Sequence, residues 1–380
     1  MEQSKLEENP FLRLVEELIL EILYRVPVKS LGRCKLVCKS WFNLISDPEF
    51  AIAHLEFSSN NTQPSTIVIQ KHNITSSLKF DDSTCIAEGV TLAPFEHQFL
   101  HDNVFDCRYC FIIGSSDGLI CVYVKEMDDR RRGRDSLYLW NPCTTEDSEI
   151  SLPIKGGSFY VHIDSSWFGC VPSSDDYIIL LLYTVYKPSY NMCMFLYSLR
   201  YDRWRDICVS DEYLDLITGA ESVFFNEALH YLVCRNWMVK FDLVTETFKR
   251  IPFSIKADLV PQYNEMVLGV IGEYDCLCVM FVNRSEEWMF ELWTLEEYGK
   301  WDSWEKLYRI DLQEDVVRNC IQFLGFTYSG NLCIQQANGL VLIDPDDDPP
   351  SHVIARNPSL VKVYKVMDFV ESLVSPDSIP

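Results

Sequence analysis

The feature that most restricts the fold of this chain is a recurrence. A short apolar run closed by a small polar residue appears six times, as LKFD at Asp81, LYLWN at Asn141, MFLYS at Ser198, MVKFD at Asp242, FELWT at Thr294 and VLID at Asp344. The intervals are 60, 57, 44, 52 and 50 residues. After several markers comes a turn and a second run with Trp or Phe beside a basic residue, as at Trp204, Phe248 and Trp304. Ahead of several lies a turn and another apolar run, such as GSSDGLICVYV from Gly114 and FFNEALHYLV from Phe224. About four strands in each unit of about 50 residues is the sequence form of a propeller blade. Six markers predict six blades, with seven as the alternative count. An open sheet of so many strands leaves costly edges, and ring closure removes them. The first unit shows two clear strands, at 67–70 and 78–80, while residues 360–374 are β-rich and otherwise unemployed. The last segment is therefore expected to complete the first blade. Trp140, Trp204, Phe248, Trp293 and Trp304 keep a regular phase in the repeat, which assigns them to packing rather than to a binding platform.

Residues 14–55 have a different texture. Val15, Leu18, Ile19, Ile22, Leu23 and Val26 take the spacing of one helical face, with Glu16 and Glu17 in the first turn, and Pro27 ends the run. Cys34, Val37, Cys38, Trp41, Phe42 and Ile45 repeat the same spacing, read as a second helix that Asp47-Pro48 stops. A unit of about 40 residues rarely builds a self-sufficient core. Two such faces can bury each other, yet Leu14, Val15, Leu20, Val26 and Leu31 are expected to remain as an exposed strip. An apolar side chain left in water forgoes roughly 1.5–3 kcal/mol, so the strip implies a partner surface.

The residue order L-x-E-E-L-x-x-E-I-L-x-R-V-P-V-K-S-L-x-R-C-K-x-V-C-K-S-W-x-x-L-I-S-D-P-x-F resembles the F-box of plant F-box proteins across the whole motif. GSSDGLICVYV, LYLWNPCT followed by ISLP, and FNEALHYL resemble the kelch-like F-box-associated domains found C-terminal to it. The resemblance implies an α plus all-β chain: flexible residues 1–13, a three-helix F-box at 14–55, a linker at 56–66, a kelch-like β-propeller at 67–374 and a tail at 375–380. It further implies docking on a Skp-family adaptor and, through it, a cullin, in an SCF ubiquitin ligase. The adaptor contacts so implied are Leu14, Val15, Leu18, Ile22, Leu23, Pro27, Leu31, Val37 and Trp41. Two departures stand out. Leu14-Val15 replaces the usual Leu-Pro, and the Gly-Gly of kelch repeats is reduced to Gly156-Gly157, outside its expected place.

Charge narrows the partners. Residues 1–55 carry 7 Lys+Arg and 8 Asp+Glu, which leaves 26 against 48 in the remainder, a net charge of −22. That potential repels nucleic acid and anionic membrane and steers a basic protein client toward the ring. The opening MEQSKLEENPFLRL lacks the pattern of a secretory leader, and the most apolar run, 177–186, is short for a membrane span, so a cytoplasmic or nuclear protein is expected. Fifteen scattered cysteines suit a reducing compartment.

Catalytic constellations are missing from the sequence. His97, His101, Cys107 and Cys110 bring four possible zinc ligands within 14 residues, but in reversed finger order, and buried thiols with surface imidazoles is the reading taken. Gly114 to Gly118 lacks the lysine and helix of a phosphate loop and reads as a hairpin turn. Asp128–Asp135 reads as a solvated loop and Asp344–Pro350 as a turn. The expectation is a receptor without chemistry or cofactor of its own, with two rivals: a scaffold without degradative role, or a propeller enzyme.

Overall fold

The computed structural model describes residues 10–61, 66–71, 74–79, 92–94, 107–127, 133–153, 161–185, 191–220, 222–234, 237–253, 265–271, 276–283, 289–311, 320–326, 332–336, 339–344, 351–356 and 365–378. The N-terminal helices are α1 (Pro10–Tyr24), α2 (Val28–Cys34), α3 (Lys39–Ile45) and α4 (Pro48–Asn61). Three expectations change here. Residues 10–13, read as flexible, are helical. The run 34–45 is not one helix, because Cys38 is extended (φ −159°, ψ 164°) and splits it, so that Leu31 before the break and Ile45 after it both turn into one core. Asp47-Pro48 ends α3 but also starts α4: the Asp47 carboxylate accepts the Glu49 N–H at 2.9 Å and proline sits at the first helical position. Residues 56–61, placed in the linker, therefore belong to a fourth helix.

Every described strand beyond α4 lies in a four-stranded antiparallel sheet, and there are six such sheets among the described residues. The first joins β1 (Thr66–Lys71), β2 (Ile74–Lys79) and β3 (Leu92–Pro94) to the last strand of the chain, β24 (Lys365–Phe369). The second is β4 (Cys107–Ser116), β5 (Leu119–Met127), β6 (Gly133–Asn141) and β7 (Glu146–Ile150), and the third β8 (Val161–Val171), β9 (Asp176–Val185), β10 (Asn191–Ser198) and β11 (Arg203–Ile207). After α5 (Asp211–Ile217) comes the fourth, β12 (Ser222–Phe225), β13 (Ala228–Cys234), β14 (Trp237–Asp242) and β15 (Thr247–Pro252). The fifth is β16 (Glu265–Ile271), β17 (Cys276–Asn283), β18 (Met289–Leu295) and β19 (Trp304–Asp311). The sixth is β20 (Cys320–Phe326), β21 (Leu332–Gln336), β22 (Gly339–Asp344) and β23 (Ser351–Arg356).

Inner strands touch in sequence: β24 meets β4, β4 meets β8, β8 meets β12, β12 meets β16, β16 meets β20, and β20 meets β24. The expectation that the C-terminal segment completes the first sheet matches the pairing of β24 with β1, Thr66 opposite Phe369 through Gln70 opposite Lys365. Architecture and order are those of an N-terminal helical domain followed by a β-propeller.

Local chemistry explains the markers. Asn141, Ser198, Asp242 and Asp344 end third strands and Thr294 is next to last, while Asp81 lies outside the described residues. Their side chains shape the turn that comes next. Asn141 Oδ1 accepts the Cys143 N–H (2.8 Å), Ser198 Oγ the Tyr201 N–H (3.3 Å), and Asp242 Oδ1 those of Val244 and Thr245 (3.2 and 2.9 Å). Four residues after the marker, Thr145, Asp202 and Glu246 take φ of 63°, 47° and 53°, the left-handed residue that closes such a hairpin. Asp117-Gly118 and Asn226-Glu227, with positive φ at both positions, make the tighter turn between first and second strands.

Packing between sheets explains the apolar runs. On β9, Ile179, Leu181 and Tyr183 join Leu119, Cys121 and Leu139 of the second sheet, while Leu180 and Leu182 join Leu229, Val239 and Phe241 of the fourth. Both faces are covered, so 177–186 reads as continuous apolar sequence. No helix among the described residues is long and apolar enough to cross a membrane. The repeated aromatics pack as expected: Trp140 and Trp304 are buried, Phe248 stacks on Phe241 at 4.4 Å, and Trp204 lies 5.0 Å from Tyr197 while donating its indole N–H to Ser151 O at 2.7 Å.

Candidate docking surface

The helical domain folds around Leu23, Leu31, Ile45 and Phe50, all at most 3% exposed. Ile19, Leu20, Tyr24, Val26, Trp41 and Leu44 pack against them. α1 and α4 are held together by rings: Tyr24 stacks on Phe50 (5.3 Å) and Phe57 (6.3 Å), and the Arg25 guanidinium lies 5.1 Å from the centre of Phe57. The buried His54 donates its Nε2–H to Val26 O at 2.9 Å, satisfying a carbonyl just beyond the end of α1.

This core corrects the expected exposed strip. Leu31 is fully buried, and Leu20 and Val26 are half-buried against the same cluster. The side chains of Leu14 and Val15 lie outside the described residues. The physical reason is the count of helices. Two helices would leave those positions bare, whereas α3 and α4 supply the missing cover.

Other apolar side chains of this domain are bare. Leu18 is 56% exposed, Ile22 61%, Leu36 85%, Val37 66%, Phe42 52% and Ile52 44%. Six of the nine large apolar side chains exposed among the described residues thus fall within 35 residues, the other three being scattered at Tyr201, Val244 and Leu307. Such clustering is not the ordinary sprinkling of surface hydrophobes. Of the expected contacts, Leu18, Ile22, Val37 and Pro27 are exposed and Trp41 is half-buried. Leu23 and Leu31 lie inside and hold the surface in shape without presenting it. Sequence reasoning missed Leu36, Phe42 and Ile52. Phe42 stood on the periodic run, but treating 34–45 as one helix turned it inward; the break at Cys38 turns it out.

Electrostatics set this surface apart from the ring. Between Glu21 and Asp47 stand Arg25, Lys29, Arg33, Lys35 and Lys39 and no carboxylate. Arg25 pairs with Glu21 at 2.6 Å, whereas Lys29, Arg33 and Lys39 are exposed and form no ion pair among the described residues. Groups of three or more His, Cys, Asp or Glu fit to hold a metal are absent among the described residues. His97 and His101 lie outside those residues, and Cys107 and Cys110 sit on β4 with side chains likewise outside them.

Comparison with known proteins bears on both halves. Residues 11–52 match the F-box domain, and residues 64–374 match the F-box associated beta propeller domain. The chain belongs to the F-box proteins that carry an F-box-associated propeller. An F-box/kelch-repeat protein of Arabidopsis thaliana is 25% identical over 378 residues, with 96% of each chain covered. The F-box protein CPR1 of the same plant is 24% identical over 333 residues, covering 79% of this chain and 73% of its own. A solved Bacteroides thetaiotaomicron protein of unknown function covers 81% of this chain and 76% of its own at a TM-score of 0.36 and 10% identity, too distant to argue from.

Proposed function

We propose that this F-box protein is the substrate-recognition subunit of an SCF ubiquitin ligase. The F-box docks on a Skp-family adaptor that holds a cullin, and the propeller presents a protein client for ubiquitination. The observation that carries the reading is the exposure of Leu18, Ile22, Leu36, Val37, Phe42 and Ile52 on one small domain whose own core is already complete without them. The exposed cations Lys29, Arg33 and Lys39 of the same domain favour an adaptor surface with carboxylates at its rim. The six sheets are read as six blades, with inner strands in contact around the ring. The receptor supplies effective concentration rather than bond-making groups, and no cofactor is needed for that. The net charge of −22 beyond residue 55 favours a basic client.

The test is co-elution of the purified chain with a Skp-family adaptor, compared with a Leu18→Asp, Ile22→Asp double variant. Both positions are exposed, so the variant keeps its core and is expected to lose the adaptor while retaining clients captured with the proteasome blocked. A chain that does not co-elute, or a variant that binds the adaptor as well as the native one, removes the reading.

A further inference from the structure

The five residues after β24 join parts of the molecule that are distant in sequence. Ser372 is fully buried, and its Oγ donates to Asp117 O at 2.8 Å in the β4–β5 turn. From the end of β6, the buried Asn141 amide donates to Ser372 O at 3.1 Å and to Val374 O at 2.7 Å. Gly118, at φ +80°, leaves room for this segment, since a Cβ there would stand 2.1 Å from Ser372 Oγ. These hydrogen bonds fix the segment to the second sheet. Its apolar side chains add contacts to the helices. Val374 is buried in the cluster that also contains Ala51 and Leu55 of α4, and Leu373 packs both on that cluster and on the F-box core of Leu23, Leu31, Ile45 and Phe50.

We infer that residues 370–374 form a strap that fixes the direction of the F-box relative to the propeller, with Leu373 as its positioning residue. The F-box is attached covalently through α4, which runs to Asn61 and leaves only residues 62–65 before β1. A domain held at one point swivels, and one held at two separate points does not. The strap is the second point, and it is built from the far end of the chain. Its functional meaning rests on the ligase reading: a client seated on the ring is then held at a set distance and angle from whatever the F-box binds, which sharpens effective concentration. The mechanical role of the strap does not depend on that reading.

The test uses the full chain with spin labels on noncanonical residues at Lys29 in the F-box and Lys249 on the propeller, both exposed, because 15 cysteines exclude thiol labelling. The native chain is expected to give one narrow distance distribution. Leu373→Ser is expected to broaden it at least two-fold with the adaptor Kd unchanged, because the Asn141 bonds are to backbone and remain; Leu373→Met keeps it narrow. Should Leu373→Ser not fold, Leu373→Ala serves in its place. A distribution that stays narrow in the Ser or Ala variant, or that is already broad in the native chain, overturns the strap. In a reconstituted ligase, Leu373→Ser is expected to spread self-ubiquitination over more lysines. Broadening without any ubiquitin transfer by the native chain would sink the ligase reading and leave the strap standing.

Discussion

Lowering the pH should destabilise this protein through one histidine. His230 on β13 is fully buried, its Nε2 lies 3.0 Å from Tyr298 Oη between β18 and β19, and its ring meets Tyr298 and Trp301 of the neighbouring sheet. Burial, and secondarily the charge of Lys240 directly across the strand pair, push its pKa down to about 4 from 6.5. Because the folded value is depressed, the unfolded chain takes up the proton first. Stability from this site is complete above pH 6.5 and drains as pH falls toward 4. Between pH 7.5 and 5.0 the linkage relation gives a loss of about 2 kcal/mol, within a ceiling of about 3.4 kcal/mol set by the gap between the two pKa values. The assay is urea unfolding at the two pH values for the native chain and His230→Gln. The variant is expected to be less stable at pH 7.5, having lost the Tyr298 contact, but its decline to pH 5.0 should be smaller by about 2 kcal/mol, about 1.4 kcal/mol corresponding to each tenfold in the unfolding constant. Equal declines in both proteins, or a directly measured His230 pKa near 6.5, would refute the reasoning.

Other substitutions probe separate links. Asn141→Ala strands two buried carbonyls at Ser372 and Val374 and should cost about 2–5 kcal/mol, read as a lower melting temperature and faster proteolysis after Phe369. Leu31→Ala empties the centre of the F-box core and should destabilise that domain by about 2–5 kcal/mol, seen as local hydrogen exchange in α1 to α4 while the propeller keeps its protection. Phe42→Ala should weaken adaptor binding by at least ten-fold with no loss of thermal stability, since the ring is half exposed. Replacing Lys29, Arg33 and Lys39 by Gln should slow adaptor association and flatten its dependence on salt, measured by stopped flow.

Much of the ring was legible because its determinants are local. A residue such as Asn141 or Asp242 marks a strand end by accepting backbone N–H groups within three residues of itself, so the signal repeats wherever that turn repeats. Strand β9 was legible from its place in the repeat rather than from alternation, which burial on both faces erases. The F-box motif was legible as an order of residues, but its geometry was not. Helical periodicity is blind to a single extended residue, and the break at Cys38 inverted the expected exposure of Phe42, while the cover from α3 and α4 inverted that of Leu31. The fourth helix was hidden by its own cap, since the same Asp-Pro pair that stops α3 also starts α4. The link between Leu373 and the F-box joins positions more than 300 residues apart, which no local pattern encodes.

Pairing β24 with β1 has a consequence for how the protein is made. β24 is made only after the five intervening sheets, so β1 waits through their synthesis with one edge unsatisfied, open to pairing with a neighbouring nascent chain. The seat that Leu373 and Val374 offer to α4 is also completed only then. Loss of β24 alone would therefore leave the first sheet open and α4 unseated, and chaperone demand should last until that strand has been made.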